Sequence, residues 1–344
     1  MTSNAGTPGN DALLDYAQSL VGKKFADHET SAKHPVLYAF DDGAQTGSPY
    51  LDLYAKGKRE GWDPARDVPW STPVDPESPI LPEEMCGLYG SEIWERLTPR
   101  ERTRARHWNG AWTLAQFLHG ERGALLATAQ LVSCAPRTDQ KLYAATQVQD
   151  EARHVEAYER YVREKMEKTF PPSPHLVALL DGILLDSRWD MKFLGMQILV
   201  EGLALAAFGW IRRFSQEPLI REIITRIHRD EARHVAFGVA ALTERYKDLS
   251  DSERREREDF VADACHLMRD RFLGDEVWEE MGLPVAQCRQ AVLRSESMKV
   301  FRQMLFSRIV PDLKRVGLIS DRLRPRLAAL EILQFEDLPA DDDL

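Results

Sequence analysis

The stretches QVQDEARHVEAY, residues 147–158, and IHRDEARHVAFG, residues 227–238, carry one charged hexapeptide, DEARHV, twice in a single chain. Their flanks diverge, so the retained pattern is Asp-Glu-x-Arg-His. In an α-helix residues i and i+3 share a face, so Glu151 points with His154 and Glu231 with His234. Glu121 stands thirty residues before Glu151, and Glu201 thirty before Glu231. Each half of the middle of the chain therefore reads Glu, thirty residues, Glu-x-x-His, and the halves are offset by eighty.

These residues fall on helical signals. Thr98-Pro99-Arg100-Glu101 has the form of a capping box with proline at the first helical position, which predicts a helix to about Ser133. CAPRTD ends it, and Thr138 or Asp139 caps a second helix reaching about Lys168. A third helical region follows the prolines at 171–174 and runs to Phe214, with a bend near Ser187. Glu217-Pro218 opens a fourth that ends near Tyr246. Further helices are expected over 251–272, 285–309 and 320–333, and no segment reads as a run of strands. The expected fold is all-α. Residues 98–246 form a four-helix bundle, 1–97 an irregular wrapping segment, and 247–344 accessory helices with an acidic tail. The wrapping segment includes KREGWDPARDVPWSTPVDPESPILP, whose aromatic residues need a surface to pack on.

Phe193 to Ile211, FLGMQILVEGLALAAFGWI, has only Gln197 and Glu201 as strongly polar residues and is long enough to span a bilayer. A carboxylate at its middle is costly in lipid. A helix apolar on every side is expected instead at the centre of a soluble bundle, and there Glu201 needs a partner.

Four glutamates converging in a bundle core repel one another and resist ionisation when buried. Two divalent cations offset four carboxylates, and two imidazoles complete an oxygen-rich donor set suited to iron or manganese. An isolated Glu-x-x-His is usually an exposed helix pair; two copies with matched upstream glutamates are not. The expected ligands are Glu121, Glu151, His154, Glu201, Glu231 and His234.

With those residues in place, the chain over Trp108–Leu242 resembles the ferritin-like non-haem di-iron carboxylate superfamily, and its DEARH form is similar to the oxygenase and ribonucleotide-reductase-small-subunit branches. GWDPARDVPW is similar to segments ahead of the bundle in arylamine N-oxygenases. The resemblance implies that the Asp beside each Glu-x-x-His serves the histidine of the other, Asp230 with His154 and Asp150 with His234, balanced by Arg153 and Arg233. It also marks departures. The Thr that hydrocarbon hydroxylases and desaturases carry after the third-helix Glu is replaced by Ala204 and Leu205. Ile227 occupies the place of the extra histidine ligand of arylamine N-oxygenases, with His228 one residue away as a weak substitute. Tyr158 lies where the reductase keeps its radical tyrosine, and its counterpart in the second half is Gly238, an asymmetry expected to open space beside the metals. Gln197, Phe117, Leu125, Thr128 and Phe237 read either as pocket lining or as ordinary core.

A net charge of −10 argues against nucleic acid or an anionic membrane as partner. Four scattered cysteines without a CxxC pair read as reduced thiols, and the N-terminus shows no secretory signal, so a cytoplasmic location is expected. The expected function is a di-iron oxygenase, with manganese or a mixed pair as other metal choices. It would use O2 to hydroxylate or N-oxygenate a small organic substrate, and a homodimer is compatible. No flavin or nicotinamide fingerprint appears, which implies an external electron donor, a ferredoxin or reductase. The alternatives are a ribonucleotide-reductase-like radical or ligand-binding oxidase using Tyr158, and iron storage or ferroxidase action. The long chain argues against storage, and the missing rubredoxin-type CxxC pairs argue against a rubrerythrin.

Overall fold

A computed structural model describes residues 12–25, 28–39, 47–75 and 80–339. The first eleven residues, most of the stretch on which the absence of a signal was read, and the end of the acidic tail lie outside the described residues. No β-strand occurs among the described residues. The helices that build the site are α1 (Ala12–Leu20), α2 (Pro49–Glu60), α3 (Pro99–Cys134), α4 (Thr138–Tyr161), α5 (Pro174–Leu185), α6 (Trp189–Phe214), α7 (Pro218–Arg245) and α8 (Asp251–Asp270).

α3 begins as its sequence predicts. The Thr98 hydroxyl accepts from the Glu101 N–H, and the Glu101 carboxylate accepts from the Thr98 N–H, so two orphan donors are satisfied reciprocally. Two short turns, 135–137 and 215–217, make α3 with α4 and α6 with α7 neighbouring antiparallel pairs. These four helices carry the two halves of the repeat. The expected bend near Ser187 is a full break between α5 and α6. Lys192, buried at the start of α6, donates to the carbonyls of Ile183 (3.1 Å) and Leu184 (3.0 Å), which supplies partners at the end of α5. The region 285–309 likewise divides, into Val285–Arg294 and Glu296–Met304, where the Ser295 hydroxyl caps the second piece.

The N-terminal segment is more regular than its composition suggests. It contains α1, and α2 starts at an Ser48 N-cap followed by proline. α2 lies across α4 and α7, while α1 and α8 pack on α5. One hydrophobic core runs from Ala17 to Phe335, so the three sequence regions share an interior. α6 is the one helix among the described residues apolar and long enough to cross a membrane, and 78% of its apolar window is buried inside the fold. Its first half, Phe193–Val200, is π-helical, with the Glu201 N–H bonding back to the Met196 carbonyl five residues earlier. This wide turn delivers Glu201 to the bundle axis.

Candidate metal centre

Glu121 projects from α3, Glu151 and His154 from α4, Glu201 from α6, and Glu231 and His234 from α7. All six are buried, the most exposed being Glu121 at 5%. Their donor atoms form two groups. Glu121, Glu151, His154 and Glu231 bring one atom each within 4.8 Å of one another, and so do Glu151, Glu201, Glu231 and His234. Glu151 and Glu231 belong to both. Their oxygens divide accordingly. Glu151 places Oε2 3.4 Å from His154 Nδ1 and Oε1 3.3 Å from His234 Nδ1. Glu231 places Oε1 3.2 Å from His154 Nδ1 and Oε2 2.9 Å from His234 Nδ1. Glu121 lies 3.4 Å from His154 Nδ1, and Glu201 3.9 Å from His234 Nδ1. The set is two shared carboxylates flanked on each side by one further carboxylate and one imidazole.

Each imidazole turns Nδ1 inward and is held from behind. His154 Nε2 lies 3.1 Å from Asp230, and His234 Nε2 3.2 Å from Asp150. A carboxylate behind a ring fixes the tautomer that leaves the inner nitrogen free to ligate. Arg233 reaches both aspartates, at 3.2 Å to Asp150 and 2.5 Å to Asp230, and also meets Glu60 at 3.0 Å. Arg153 pairs with Asp150 and sits 3.7 Å from Asp230. Trp62 donates its indole N–H to Asp230 at 2.8 Å and stacks on His154, with ring centroids 6.4 Å apart.

The electrostatics are those of a cluster short of positive charge. Burial, then the charge of Glu231, pushes the Glu121 carboxyl up to about 8. The same two causes raise Glu201 well above the carboxylate range. Burial opposes the charge on Glu231, yet the imidazoles of His234 and His154 hold its carboxyl well below that range. Burial also opposes a charged His234, but Glu151 and Glu231 raise it to about 10. His154 is likewise raised, against its burial, by Glu231, Asp230, Glu121 and Glu151. Protons on Glu121, Glu201 and the two imidazoles thus do the neutralising. Glu151 Oε2, Glu231 Oε1 and His154 Nδ1 are buried without a hydrogen-bond partner. Buried polar atoms are normally satisfied, and three unpartnered atoms, both oxygens within 3.4 Å of His154 Nδ1, suit a cation-binding role. The donor set, carboxylate oxygens with imidazole nitrogens and no thiolate, suits iron or manganese.

The residues flagged as pocket lining divide. Gln197 touches the cluster through a residue the sequence reading passed over, Gln147. Gln197 Nε2 donates to Gln147 Oε1 at 2.7 Å, and Gln147 Nε2 donates to Glu151 at 2.8 Å. Gln147 precedes Glu151 by four residues, as Gln197 precedes Glu201, and that shared spacing was the available signal. Gly238 opens no space, contrary to expectation, because a Cβ there would meet the Gln197 Cβ at 2.4 Å. The glycine admits the glutamine. Phe237 is clamped by Tyr143 (4.6 Å), Phe193 (4.8 Å) and Tyr50 (5.8 Å), which makes it core. Leu125 is half-buried and outside the core cluster, and Thr128 is buried with an unpartnered hydroxyl. Phe117 packs on Phe208 at 5.0 Å and lies 6.2 Å from Tyr158. The Tyr158 hydroxyl is buried and unpartnered, and burial and Glu121 hold it well above its ordinary value. His228 is not gathered into either donor group. Its Nδ1 lies 3.0 Å from Arg212 and burial pushes it down to about 4, while Ile227 is fully buried.

The bundle and its paired carboxylate–imidazole groups define the ferritin-like class of dinuclear-metal proteins. The chain belongs to the p-aminobenzoate N-oxygenase AurF family, whose model matches residues 50–317, and it is an oxygen-dependent oxidoreductase. Among solved structures it is similar to variants of an R2-like ligand-binding oxidase with an aerobically reconstituted Mn/Fe cofactor. Two of them are 20% and 18% identical, each covers 82% of this chain and 100% of its own, and each has a TM-score of 0.51. At that identity the likeness shows the shared fold. No match emerges among curated protein sequences.

Proposed function

We propose that the protein is a di-iron oxygenase that transfers one atom of O2 to a small aromatic amine, with Glu121, Glu151, His154, Glu201, Glu231 and His234 holding the metal pair. The carrying observation is the division of the Glu151 and Glu231 oxygens between two inward-facing imidazoles. The Mn/Fe cofactor of the R2-like oxidases keeps a mixed pair as the alternative metal content. When bound, the metal pair supplies the reduction of O2. The chain's own residues position it: Asp150 and Asp230 orient the two imidazoles, Gln147 donates to Glu151, and the apolar walls exclude water.

Turnover converts substrate R–H and O2, with two electrons and two protons, into R–OH and water. The electrons come from a separate donor, a ferredoxin or reductase. A narrow apolar pocket lined by Trp112, Phe117, Ile211, Phe272 and Phe301 reaches Phe117, one helical turn from Glu121. Four free, buried cysteines fit a reducing, cytoplasmic compartment.

The test is single turnover of the iron-loaded, reduced protein with 18O2 and a panel of aryl amines, read by mass spectrometry. One labelled oxygen on nitrogen is the expected product. Label on carbon moves the assignment to hydroxylation, and unlabelled substrate with O2 consumed removes the oxygenase reading. Tyr158, with its unpartnered hydroxyl beside the Glu121 side of the cluster, favours one second reading, a radical-forming oxidase. That reading requires a tyrosyl EPR signal that Tyr158→Phe abolishes.

A further inference from the structure

We propose that the basic groove along the outer face of α7 is the docking face for an acidic electron-carrier protein. This rests on the oxygenase reading above, which requires electrons from outside, and it locates their entry. Two adjoining depressions, of about 630 and 470 Å³, share Lys56, Ala232 and Arg233 and lie between α2, α7 and residues 307–315. Their walls carry Lys56, Arg226, Arg229, Lys247, Arg308 and Arg315. Glu60, Glu244 and Asp312 stand on the walls with them, Glu222 pairs with Arg226 at 2.7 Å and Asp312 with Arg315 at 3.4 Å, and Asp230 lies at the floor; with Arg233 counted among the cations, basic groups still outnumber acidic ones. The chain as a whole carries −10, so this surface is opposite in sign to the average. An acidic partner is repelled elsewhere and attracted here, which is how charge distribution selects an orientation on encounter.

The size also fits. From Arg226 to Lys247 the groove follows α7 for roughly 30 Å at the helical rise, comparable with the width of a small protein's footprint of about 800 Å². The floor leads directly to the candidate ligands. Trp62 and Arg233 both line the groove, and both hydrogen-bond Asp230, which holds His154 at 3.1 Å. Arg233 also bonds Asp150, which holds His234 at 3.2 Å. Two hydrogen bonds therefore separate the groove from each imidazole. The donor is oxidised by two electrons per turnover, one at a time for a [2Fe–2S] protein. Those two electrons balance the reduction of O2 that the metal pair would supply when held by the six ligands, and solvent supplies the two protons that leave in water.

The probe is a strongly acidic [2Fe–2S] ferredoxin. Calorimetry measures its binding to the metal-free and metal-loaded chain at low ionic strength and at about 0.5 M salt, where exposed charges are screened. Stopped-flow measures reduction of the loaded protein by ferredoxin and, separately, by dithionite. Binding to both forms is expected, lost at high salt. Arg229→Glu with Lys247→Glu is expected to weaken it by about tenfold or more and to slow reduction by ferredoxin, with reduction by dithionite unchanged. Arg100→Glu with Arg163→Glu, which do not line the groove, should change neither. Equal binding by the groove and control variants overturns the proposal, as does absence of binding by the full chain. The competing occupant is the chain's own Asp341-Asp342-Asp343 run, which follows Pro339 at the groove rim. If a chain ending at Pro339 binds ferredoxin and the full chain does not, the groove belongs to that run. Loss of the oxygenase reading shows separately, as failure to load metal while ferredoxin binding to the metal-free chain persists.

Discussion

Glu151 and Glu231 differ from Glu121 and Glu201 in serving both donor groups, and substitutions should separate them. Glu151→Gln or Glu231→Gln is expected to remove metal from both positions. Glu121→Gln or Glu201→Gln should each remove one, read as metal per chain by elemental analysis. Asp230→Asn leaves the ring of His154 without its anionic partner and should weaken metal affinity by roughly 10–100-fold. The pH dependence follows from the protons that stand in for cations. Glu121 at about 8 and His234 at about 10 hold protons at neutral pH, and both must lose them to ligate. Metal affinity should therefore rise with pH between about 6 and 8, roughly tenfold per unit for each proton displaced, with proton release visible in weakly buffered solution. Equal affinity across that range contradicts the assignment. The gathering of the six candidate donors into one cluster was legible in the sequence, because i, i+3 pairs and a repeated spacing survive without tertiary information. Trp62 and Gln147 were not singled out. Trp62 reaches Asp230 across 168 positions, and nothing local marks such a contact.

At the scale of elements, the break between α5 and α6 and the π turn before Glu201 were beyond reach of a 3.6-residue period. The sequence around Ser187 announces a bend, but the π register depends on how α6 packs against α7. Gly238 records that packing. Its missing side chain makes room for Gln197, so the Tyr158/Gly238 asymmetry is filled by a neighbour. Gly238→Ala is expected to destabilise the fold by about 1–3 kcal/mol through overpacking, measured by chemical denaturation. An unchanged midpoint requires that Gln197 lie elsewhere. The helices at 12–20 and 49–60 hid in a stretch rich in proline, glycine and aromatics, because those residues punctuate the helices closely enough to mask a short period.

For the whole molecule, one continuous core holds the bundle while the site at its centre works against folding, with like charges and orphaned polar atoms buried together. Metal binding relieves that cost. Loading with Fe(II) at about a hundred times Kd should stabilise the chain by roughly 3 kcal/mol, seen as a rise in Tm that a chelator reverses. The measurement that bears most directly on the dinuclear site is anomalous diffraction at the iron edge from crystals of the loaded protein. Two peaks are predicted, both touching Glu151 and Glu231, one also meeting Glu121 and His154 and the other Glu201 and His234. A single peak, no peak within this cluster, or one held by His228 would contradict it.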